Sequence, residues 1–215
     1  MNLAIIGASG FVGSAVLAEA LERGHRVTAI VRNPDKLAAH PGLTALKGDV
    51  YDVAATAGQL RGHDALISAF HSGVKGDIEA VCQAEVEGYQ AIIAAAKAAG
   101  VARILIVGGA GSLEIAPGVQ LVDTPQFPPA VKPKALAARA VLQMIRQEQE
   151  LEWSYVSPSP ILKPGSKTGQ FRIGGDQVLM IEEGPTSITV GDLAVAILDE
   201  IEQPKQIRRR FTAGY

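Results

Sequence analysis

The sequence has little cysteine, few aromatic residues and almost no net charge. Its single cysteine, Cys82, excludes a disulfide within the chain and is typical of a reducing compartment. The 20 basic and 22 acidic residues give a formal net charge of −2, which offers no electrostatic basis for binding nucleic acid or an anionic membrane. The four histidines show no metal-ligand spacing with one another or with the cysteine. We therefore expect no nucleic-acid partner, no membrane partner and no metal.

Long uncharged apolar runs of the length that spans a membrane are also missing. The first residues lead directly into an apolar segment, without the basic region and cleavage site of a signal peptide. These two absences lead us to expect a cytoplasmic protein. With 215 residues, 47% of them hydrophobic, the chain is long enough for one domain with a substantial core.

What the sequence does contain is a regular alternation of short apolar runs and helical patterns. The predicted strands are residues 3–6, 27–31, 43–46, 65–67, 104–107 and 153–156. The predicted helices are residues 11–23, 53–60, 78–99, 133–149 and 192–202. Nearly continuous apolar strands between helices indicate a parallel sheet that is covered on both faces. The predicted fold class is therefore α/β, a Rossmann-like doubly wound sheet.

The second half of the chain is less regular. Residues 113–129 are predicted as a loop, and residues 210–212 as an edge strand. Residues 170–173 and 178–180 flank a Gly-Gly-Asp turn, which predicts a small hairpin excursion. We expect one folding unit over residues 1–215, in which residues 157–185 form a small substrate lobe.

Three glycines at three-residue spacing, Gly7, Gly10 and Gly13, follow the first strand and open the first helix. That context is the one that a dinucleotide-binding turn requires, because a helix N-terminus offers unpaired N–H groups to a pyrophosphate. A turn without a ligand is the alternative. The ends of the next three strands, 31–32, 48–50 and 68–70, meet at the same edge of the sheet and favour the nucleotide.

Arg32 bears on the choice of cofactor. NAD sites typically have an acidic residue after the second strand, whereas an arginine suits the 2′-phosphate of NADP. Here the strand is followed by Arg32 and Asn33, with no acid before Asp35. The sequence therefore favours NADP(H) over NAD(H), with a solvated arginine beside a helix cap as the alternative.

The segments GASGFVG, AIVRNP, GDV, SAF and GGAGSLEIAPG together resemble the atypical short-chain dehydrogenases/reductases. The resemblance is strongest to the NmrA-like, NAD(P)H-flavin reductase branch, and more distant to the flavin/biliverdin-IXβ reductases. It extends over essentially the whole chain and implies a single NAD(P)-binding domain.

The resemblance also implies roles for individual residues. The residues implied to wrap the pyrophosphate are Gly7, Ala8, Ser9, Gly10, Phe11 and Val12. Arg32 would hold the 2′-phosphate. The residues implied along the adenine and the ribose are Asp49, Val50, Ala69 and Phe70. The residues implied around the nicotinamide and the hydride-transfer site are Gly108, Gly109, Ser112, Ser157 and Pro158.

The chain departs from the wider superfamily in one respect, since none of its four tyrosines is followed by lysine four residues on. Without that tyrosine acid, alcohol and sugar chemistry is disfavoured, whereas a flavin needs mainly ring stacking and exclusion of water. We expect NADPH-dependent hydride transfer to a flavin or another flat acceptor such as a quinone. The alternatives are a non-catalytic NADP(H) sensor that regulates a partner protein, and an epimerase- or dehydratase-like enzyme.

Three residues are candidates for chemistry beyond cofactor binding. Ser112 either bonds the substrate or caps a glycine-rich turn, and Lys132 either lies near the substrate or is solvated at a helix start. His71 follows a strand end and is either a proton donor or a surface residue. We expect a small-molecule acceptor as the partner, and a monomer or homodimer.

Overall fold

The computed structural model describes residues 1–215. The helices are α1 Phe11–Glu22, α2 Val53–Leu60, α3 Ile78–Ala99, α4 Lys132–Ile145 and α5 Val190–Glu202. The strands of the first half are β1 Asn2–Ile6, β2 Arg26–Val31, β3 Leu43–Lys47, β4 Ala65–Ser68 and β5 Arg103–Val107. The later strands are β6 Glu114–Ala116, β7 Val119–Gln120, β8 Glu152–Pro158, β9 Ile161–Lys163, β10 Arg172–Gly174, β11 Met180–Ile181, β12 Gly184–Pro185, β13 Ser187–Thr189 and β14 Arg209–Gly214.

Eight strands form one central sheet in the order β10-β14-β8-β5-β4-β1-β2-β3. All neighbouring pairs are parallel except β10 with β14, which is antiparallel. From β1 the chain first adds β2 and β3 on one side and then β4 and β5 on the other. This reversal between β1 and β4 is the position at which open α/β sheets bind ligands. The predicted doubly wound parallel sheet is confirmed.

Side chains alternate along the strands and build one core on each face of the sheet. In β1, Leu3 and Ile5 belong to the core beneath α1 and α5. Ala4 and Ile6 belong to the opposite core, beneath α2, α3 and α4. Because both faces of each central strand are buried, these strands are apolar without interruption.

The ends of α3 follow the predicted capping. Asp77 accepts a hydrogen bond from the Ala80 N–H at 2.8 Å, and Gly100 ends the helix in the left-handed conformation at φ +74°. Both features satisfy backbone groups that a helix terminus leaves unpaired. None of the five helices combines the length and the apolar composition that crossing a bilayer requires.

The excursion after β8 contains a short antiparallel hairpin, formed by β11 and β12. The pairing predicted inside the excursion was wrong, however, because β10 pairs with β14 in the central sheet rather than with residues 178–180. The segment predicted as an edge strand, within β14, consequently lies between β8 and β10. Its residues from Arg210 to Gly214 are all buried. This burial is consistent with a strand that has a neighbour on each side, whereas an edge strand would leave one side exposed.

The predicted helix over residues 133–149 begins at Lys132 and ends at Ile145. The last four predicted residues form a turn instead. The Glu148 side chain accepts hydrogen bonds from the N–H groups of Glu150 and Leu151, at 2.6 and 3.2 Å. A side chain that bonds nearby backbone in this way competes with the helix.

Candidate active site

The turn between β1 and α1 is too tight for side chains at two of its glycines. Gly7 has φ +82°, and an added Cβ would lie 2.4 Å from the Ala69 carbonyl oxygen. An added Cβ at Gly13 would lie 2.1 Å from the carbonyl oxygen of Gly7. The turn therefore brings the start of α1 directly against the carboxyl ends of β1 and β4.

Gly10 is less crowded than Gly7 and Gly13. An added Cβ would approach only the Gly7 carbonyl oxygen, at 3.3 Å. Gly10 is the N-cap of α1 and offers no side-chain cap, and the N–H groups of Phe11 and Val12 donate to no acceptor in the protein. A pyrophosphate fits here, because free N–H donors and the positive end of the helix dipole face a position that no side chain fills.

A cavity of about 350 Å³ opens beside this turn, at the carboxyl ends of β1, β2 and β3. Arg32 and Lys36 line it with two exposed positive charges. Its one acidic side chain, Asp49, already accepts the Tyr51 N–H at 3.1 Å. The cavity therefore suits the adenosine half of a dinucleotide with an additional negative group.

A second cavity of about 790 Å³ lies over the carboxyl ends of β4 and β5, and mostly hydrophobic residues line it. One wall comes from α4, and another comes from Leu121, Phe127 and Pro128 in the segment before α4. The residues that the two cavities share are Gly10, Ala69, Phe70 and His71. The cavities therefore form one groove that passes the N-terminus of α1, and the larger one has the volume of a small-molecule site.

Phe70 lies where the two cavities meet and is held on three sides. Its ring makes edge-to-face contacts with Tyr51 at 6.4 Å and with Tyr89 at 5.6 Å between ring centroids. Gly88 of α3 leaves the space that the ring occupies, since an added Cβ would lie 2.3 Å from the Phe70 Cε1 atom. Aromatic contacts of this geometry fix ring orientation in addition to burying area.

The end of β5 is glycine-rich because Tyr155 of β8 fills the space beside it. An added Cβ at Gly108 would lie 1.9 Å from the Tyr155 ring. The Tyr155 hydroxyl donates to the Ala138 carbonyl at 2.8 Å, and burial raises the pKa of this phenol far above its ordinary value. Tyr155 lines the larger cavity. Its hydroxyl proton is already donated to a backbone carbonyl and its pKa is raised, so Tyr155 does not replace the acidic tyrosine that typical members of the superfamily have.

His71 and Glu85 form an ion-pair contact in the wall of the larger cavity. The His71 Nδ1 lies 3.1 Å from the Glu85 Oε2, and the same oxygen accepts the Ser72 N–H at 2.9 Å. Glu85 is 7% exposed, whereas the imidazole remains open to solvent. A buried carboxylate therefore orients an accessible histidine at the cavity.

Most residues predicted for the cofactor lie along the groove. Those that line the smaller cavity are Gly7, Ser9, Gly10, Arg32, Asp49, Val50, Ala69 and Phe70. Those that line the larger cavity are Gly10, Phe11, Val12, Ala69, Phe70, Gly108 and Gly109. Their contact with a cofactor stays a prediction.

Three residues that were predicted for the site line neither cavity. The Ala8 side chain is buried in the core beneath α1 and α5. Ser112 is 2% exposed, and its hydroxyl has no hydrogen-bond partner. Lys132 begins α4 but lines neither cavity, whereas Lys134 lines the larger one. Two residues turn a helix by about 200°, so the two lysines point in opposite directions.

Ser157 and Pro158 are likewise displaced from the groove. The prediction ended the strand at residue 156, but β8 continues through Pro158, and both side chains are buried within the sheet. The Ser157 hydroxyl is 3.4 Å from Arg210 Nη1. Of this segment only Pro160 reaches the larger cavity.

The sequence-based reasoning did not identify several residues that line the groove. The missed residues with ionisable side chains are Lys36, Tyr51, Glu85, Tyr89, Lys134 and Tyr155. A signal existed for Glu85 and Tyr89, because their i, i+4 spacing places them on one face of α3. No local pattern indicates Lys134 or Tyr155, since their positions depend on how α4 packs against the sheet.

Comparison with protein families identifies the chain. The model of the NAD(P)H-binding family matches residues 7–204. The chain belongs to the NAD(P)H-binding family. The matched region includes all residues that line the larger cavity and all but Ile6 of those that line the smaller one, and it confirms the resemblance to atypical short-chain dehydrogenases/reductases. Membership shows that the chain has an NAD(P)H-binding fold of the oxidoreductase kind and supports a nicotinamide cofactor.

Three similar proteins align with this chain over nearly their full length. Bacillus subtilis YwnB is 38% identical over 215 residues, which cover 99% of this chain and 97% of YwnB. A crystal structure from Bacteroides thetaiotaomicron, described as a candidate epimerase, is 41% identical with a TM-score of 0.92, over 100% of this chain and 96% of that one. A candidate NADH-flavin reductase from Streptococcus pneumoniae is 34% identical with a TM-score of 0.86, over 100% and 99%.

Proposed function

We propose that this protein is an NADPH-dependent reductase that passes a hydride to a planar conjugated acceptor, such as a flavin or a quinone. The observation that carries the proposal is the groove itself. A charged cavity of nucleotide size continues past a glycine N-cap into a larger, mostly apolar cavity. A cofactor that extends from the first into the second would present its nicotinamide to a flat apolar partner.

The residues present fit NADP(H). The free N–H groups at Phe11 and Val12 would bind the pyrophosphate, and Arg32 and Lys36 would bind the 2′-phosphate. The acid that NAD sites place after the second strand is absent at Arg32. The name of the Streptococcus pneumoniae relative specifies NADH, so the preference of this chain for NADPH is a specific point to test.

The larger cavity supports an acceptor whose reduction needs little help from the protein. When bound, the cofactor supplies the hydride. The chain contributes flat apolar walls from Val107, Phe127 and Pro128, which orient a ring and exclude water. The missing tyrosine–lysine pair, together with the engaged Tyr155 hydroxyl, disfavours an epimerase or dehydratase reaction.

The same missing pair supports a second candidate, a non-catalytic NADP(H) sensor that regulates a partner protein. The two candidates differ in one measurable property, because a sensor binds the cofactor without oxidising it in the presence of any acceptor. It would also bind the oxidised and reduced forms with different affinity, since only such a difference lets it report redox state.

The experiment that separates them is calorimetric titration with NADPH, NADP and NADH, each followed by addition of riboflavin, FMN or menadione. Tight NADPH binding with reduction of an acceptor supports the reductase. Tight binding without reduction supports the sensor. Absence of binding by every dinucleotide contradicts both.

Gly10→Asp is the variant that tests the binding site. It places a negative charge where the pyrophosphate is expected, and its Cβ would meet only the Gly7 carbonyl oxygen, at 3.3 Å. We expect NADPH oxidation to fall by at least about 100-fold, the loss of roughly 2.7 kcal/mol or more of binding. Gly58→Asp is the matched control, because Gly58 is exposed and an added Cβ there meets no atom within 4 Å. Unchanged turnover in Gly10→Asp would rule out the proposed site.

A further inference from the structure

The reduction of a quinone to a hydroquinone consumes a proton as well as a hydride, and the groove contains a histidine beside a carboxylate. His71 lines both cavities. Its Nδ1 faces the Glu85 carboxylate at 3.1 Å, and its Nε2 makes no hydrogen bond within the protein. One ring nitrogen is therefore fixed by a carboxylate, and the other is free to meet a ligand.

Glu85 is held in its position independently of the histidine. It is 7% exposed, it projects from the middle of the 22-residue helix α3, and its Oε2 also accepts the backbone N–H of Ser72 at 2.9 Å. Ser72 follows His71 in the chain, so the one carboxylate oxygen fixes both the loop and the ring that the loop carries. The imidazole side chain is 44% exposed, which leaves solvent access for reloading a proton.

Other ionisable groups face this pair from each neighbouring element. These groups are Tyr89 of α3, Asp49 and Tyr51 in the loop after β3, Arg32 and Lys36 in the segment after β2, and Lys134 of α4. Burial and the negative charge of Glu85 raise the pKa of both tyrosines, which makes each of them a weaker acid than an ordinary phenol.

We propose that His71 is the proton donor to the reduced acceptor and that Glu85 is the residue that positions it. This inference rests on the proposed function. For a quinone, the hydride adds its electron pair to the acceptor, and one oxygen is left as an anion. The His71 N–H bond breaks, its proton forms an O–H bond with that anion, and the neutral imidazole takes a proton from solvent. The sum is quinone, NADPH and one proton giving hydroquinone and NADP.

The first test compares His71→Gln and Glu85→Gln with two matched controls, His40→Gln and Glu87→Gln. His40 lies in the exposed loop before β3, and Glu87 is exposed on α3, and neither lines a cavity. With menadione as acceptor, we expect kcat of His71→Gln to fall by about 100-fold or more, the usual contribution of a general acid. The NADPH Kd should stay within twofold of the wild type, roughly 0.4 kcal/mol.

The pH profile distinguishes proton donation from a structural role. The wild-type kcat should decline on the alkaline side as the imidazolium is lost, and this decline should be absent from His71→Gln. Glu85→Gln should give an intermediate kcat, because the amide oxygen still accepts from Nδ1 but does not stabilise the positive charge. Both controls should keep the wild-type profile.

The second test does not depend on turnover. Para-nitrophenol, whose anion absorbs visible light, imitates the oxyanion of a half-protonated hydroquinone. In the presence of NADP, we expect the wild type and His40→Gln to bind the dye as its anion, and His71→Gln to bind that anion at least about tenfold more weakly, roughly 1.4 kcal/mol. Dye bound by the wild type in its neutral form, or bound equally as the anion by His71→Gln, would overturn the proposal.

The outcomes keep the two claims apart. If the wild type reduces menadione and His71→Gln does so with the same kcat and pH profile, the proton donor is refuted while the reductase stands. If the wild type reduces no acceptor, the reductase is refuted and the proton donor with it. Loss of kcat with retained NADPH affinity and a flattened pH profile supports both.

Discussion

At the scale of single residues, the nucleotide-binding turn separates glycines that the chain itself requires from one that it does not. Gly7 and Gly13 cannot carry a Cβ because backbone carbonyl groups occupy the space, whereas a Cβ at Gly10 would meet only one atom, a carbonyl oxygen at 3.3 Å. The packing of the chain therefore excludes a side chain at Gly10 less strictly than at Gly7 or Gly13. The free helix N–H groups beside Gly10 are accordingly better evidence for a ligand than the spacing of the three glycines.

The prediction at the residue scale concerns the effect of Arg32 on cofactor binding. Arg32→Ala should weaken NADPH binding by about 1.5–3 kcal/mol, because a charged hydrogen bond to the 2′-phosphate is lost, and should leave NADH binding nearly unchanged. Arg26→Ala is the matched control, since Arg26 is an exposed arginine at the opposite end of β2. Calorimetric titration of the three proteins with both cofactors measures the difference. Equal losses for NADPH and NADH would contradict the role given to Arg32.

Residue-level prediction reaches as far as local patterns do. The positions after β1, β2, β3 and β4 could be assigned to the groove because parallel strands end at one edge of the sheet. The position of Lys132 outside both cavities could not be foreseen, because it depends on the rotation of α4 about its own axis. The burial of Ser157 within the sheet could not be foreseen either, since the strand runs two residues further than its apolar stretch.

At the scale of secondary-structure elements, α3 does more than cover the sheet. Its length brings Glu85, Gly88 and Tyr89 to the groove on one face, while its remaining face packs on α2 and α4. Gly88 interrupts a helix that is otherwise rich in good helix formers, at a cost of about 1 kcal/mol relative to alanine. The ring of Phe70, which occupies that gap, provides the reason.

A double-mutant cycle tests this explanation of Gly88. Gly88→Ala should lower the free energy of unfolding by about 1–3 kcal/mol, because the new methyl group forces Phe70 to move. In a Phe70→Ala background the same change should be neutral or stabilising, giving a coupling energy of about 1–3 kcal/mol. Urea unfolding of the four proteins gives the energies, and Gly58→Ala on α2 reports the effect of helix propensity alone. Additive effects would show that the ring does not need the gap.

Elements with capping residues and strong periodicity were predictable, and those defined by distant partners were not. Asp77 and Gly100 mark the ends of α3 in the sequence itself. The pairing of β10 with β14 has no local signal, because its two strands are separated by α5 and by three further short strands. A turn signal such as Gly-Gly-Asp indicates that the chain reverses but does not identify the strand it returns to.

At the scale of the whole molecule, charge is distributed unevenly along the groove. The smaller cavity has Arg32 and Lys36 against the single acid Asp49, whereas the larger cavity has, apart from His71, Lys134 and Glu85, whose charges oppose each other. Away from His71, the larger cavity therefore offers little net attraction to a charged group on the acceptor, such as a phosphate. A nearly neutral chain adds no long-range field that would change this.

Riboflavin and FMN test the charge of the acceptor, because they share one ring system and differ by a phosphate. With NADPH as cofactor, we expect kcat/KM to be about fivefold higher for riboflavin than for FMN. The FMN phosphate would form at most an exposed ion pair with Lys134, worth about 1 kcal/mol, and Glu85 would repel it. Steady-state kinetics at constant ionic strength gives the ratio. A preference for FMN would instead assign its phosphate to Lys134, which Lys134→Ala, with Lys132→Ala as control, would then reveal.

The contact between Gly7 and the Ala69 carbonyl has a consequence for the life of the protein in the cell. It joins segments that are far apart in the chain, so the nucleotide-binding turn takes its shape only when β1 and β4 are paired. A cofactor at one hundred times its Kd would then add about 2.7 kcal/mol to the native state and nothing to partly folded forms. A fall in cofactor supply would release that stabilisation and expose the chain to proteolysis, so that the abundance of the protein follows the nucleotide pool it uses.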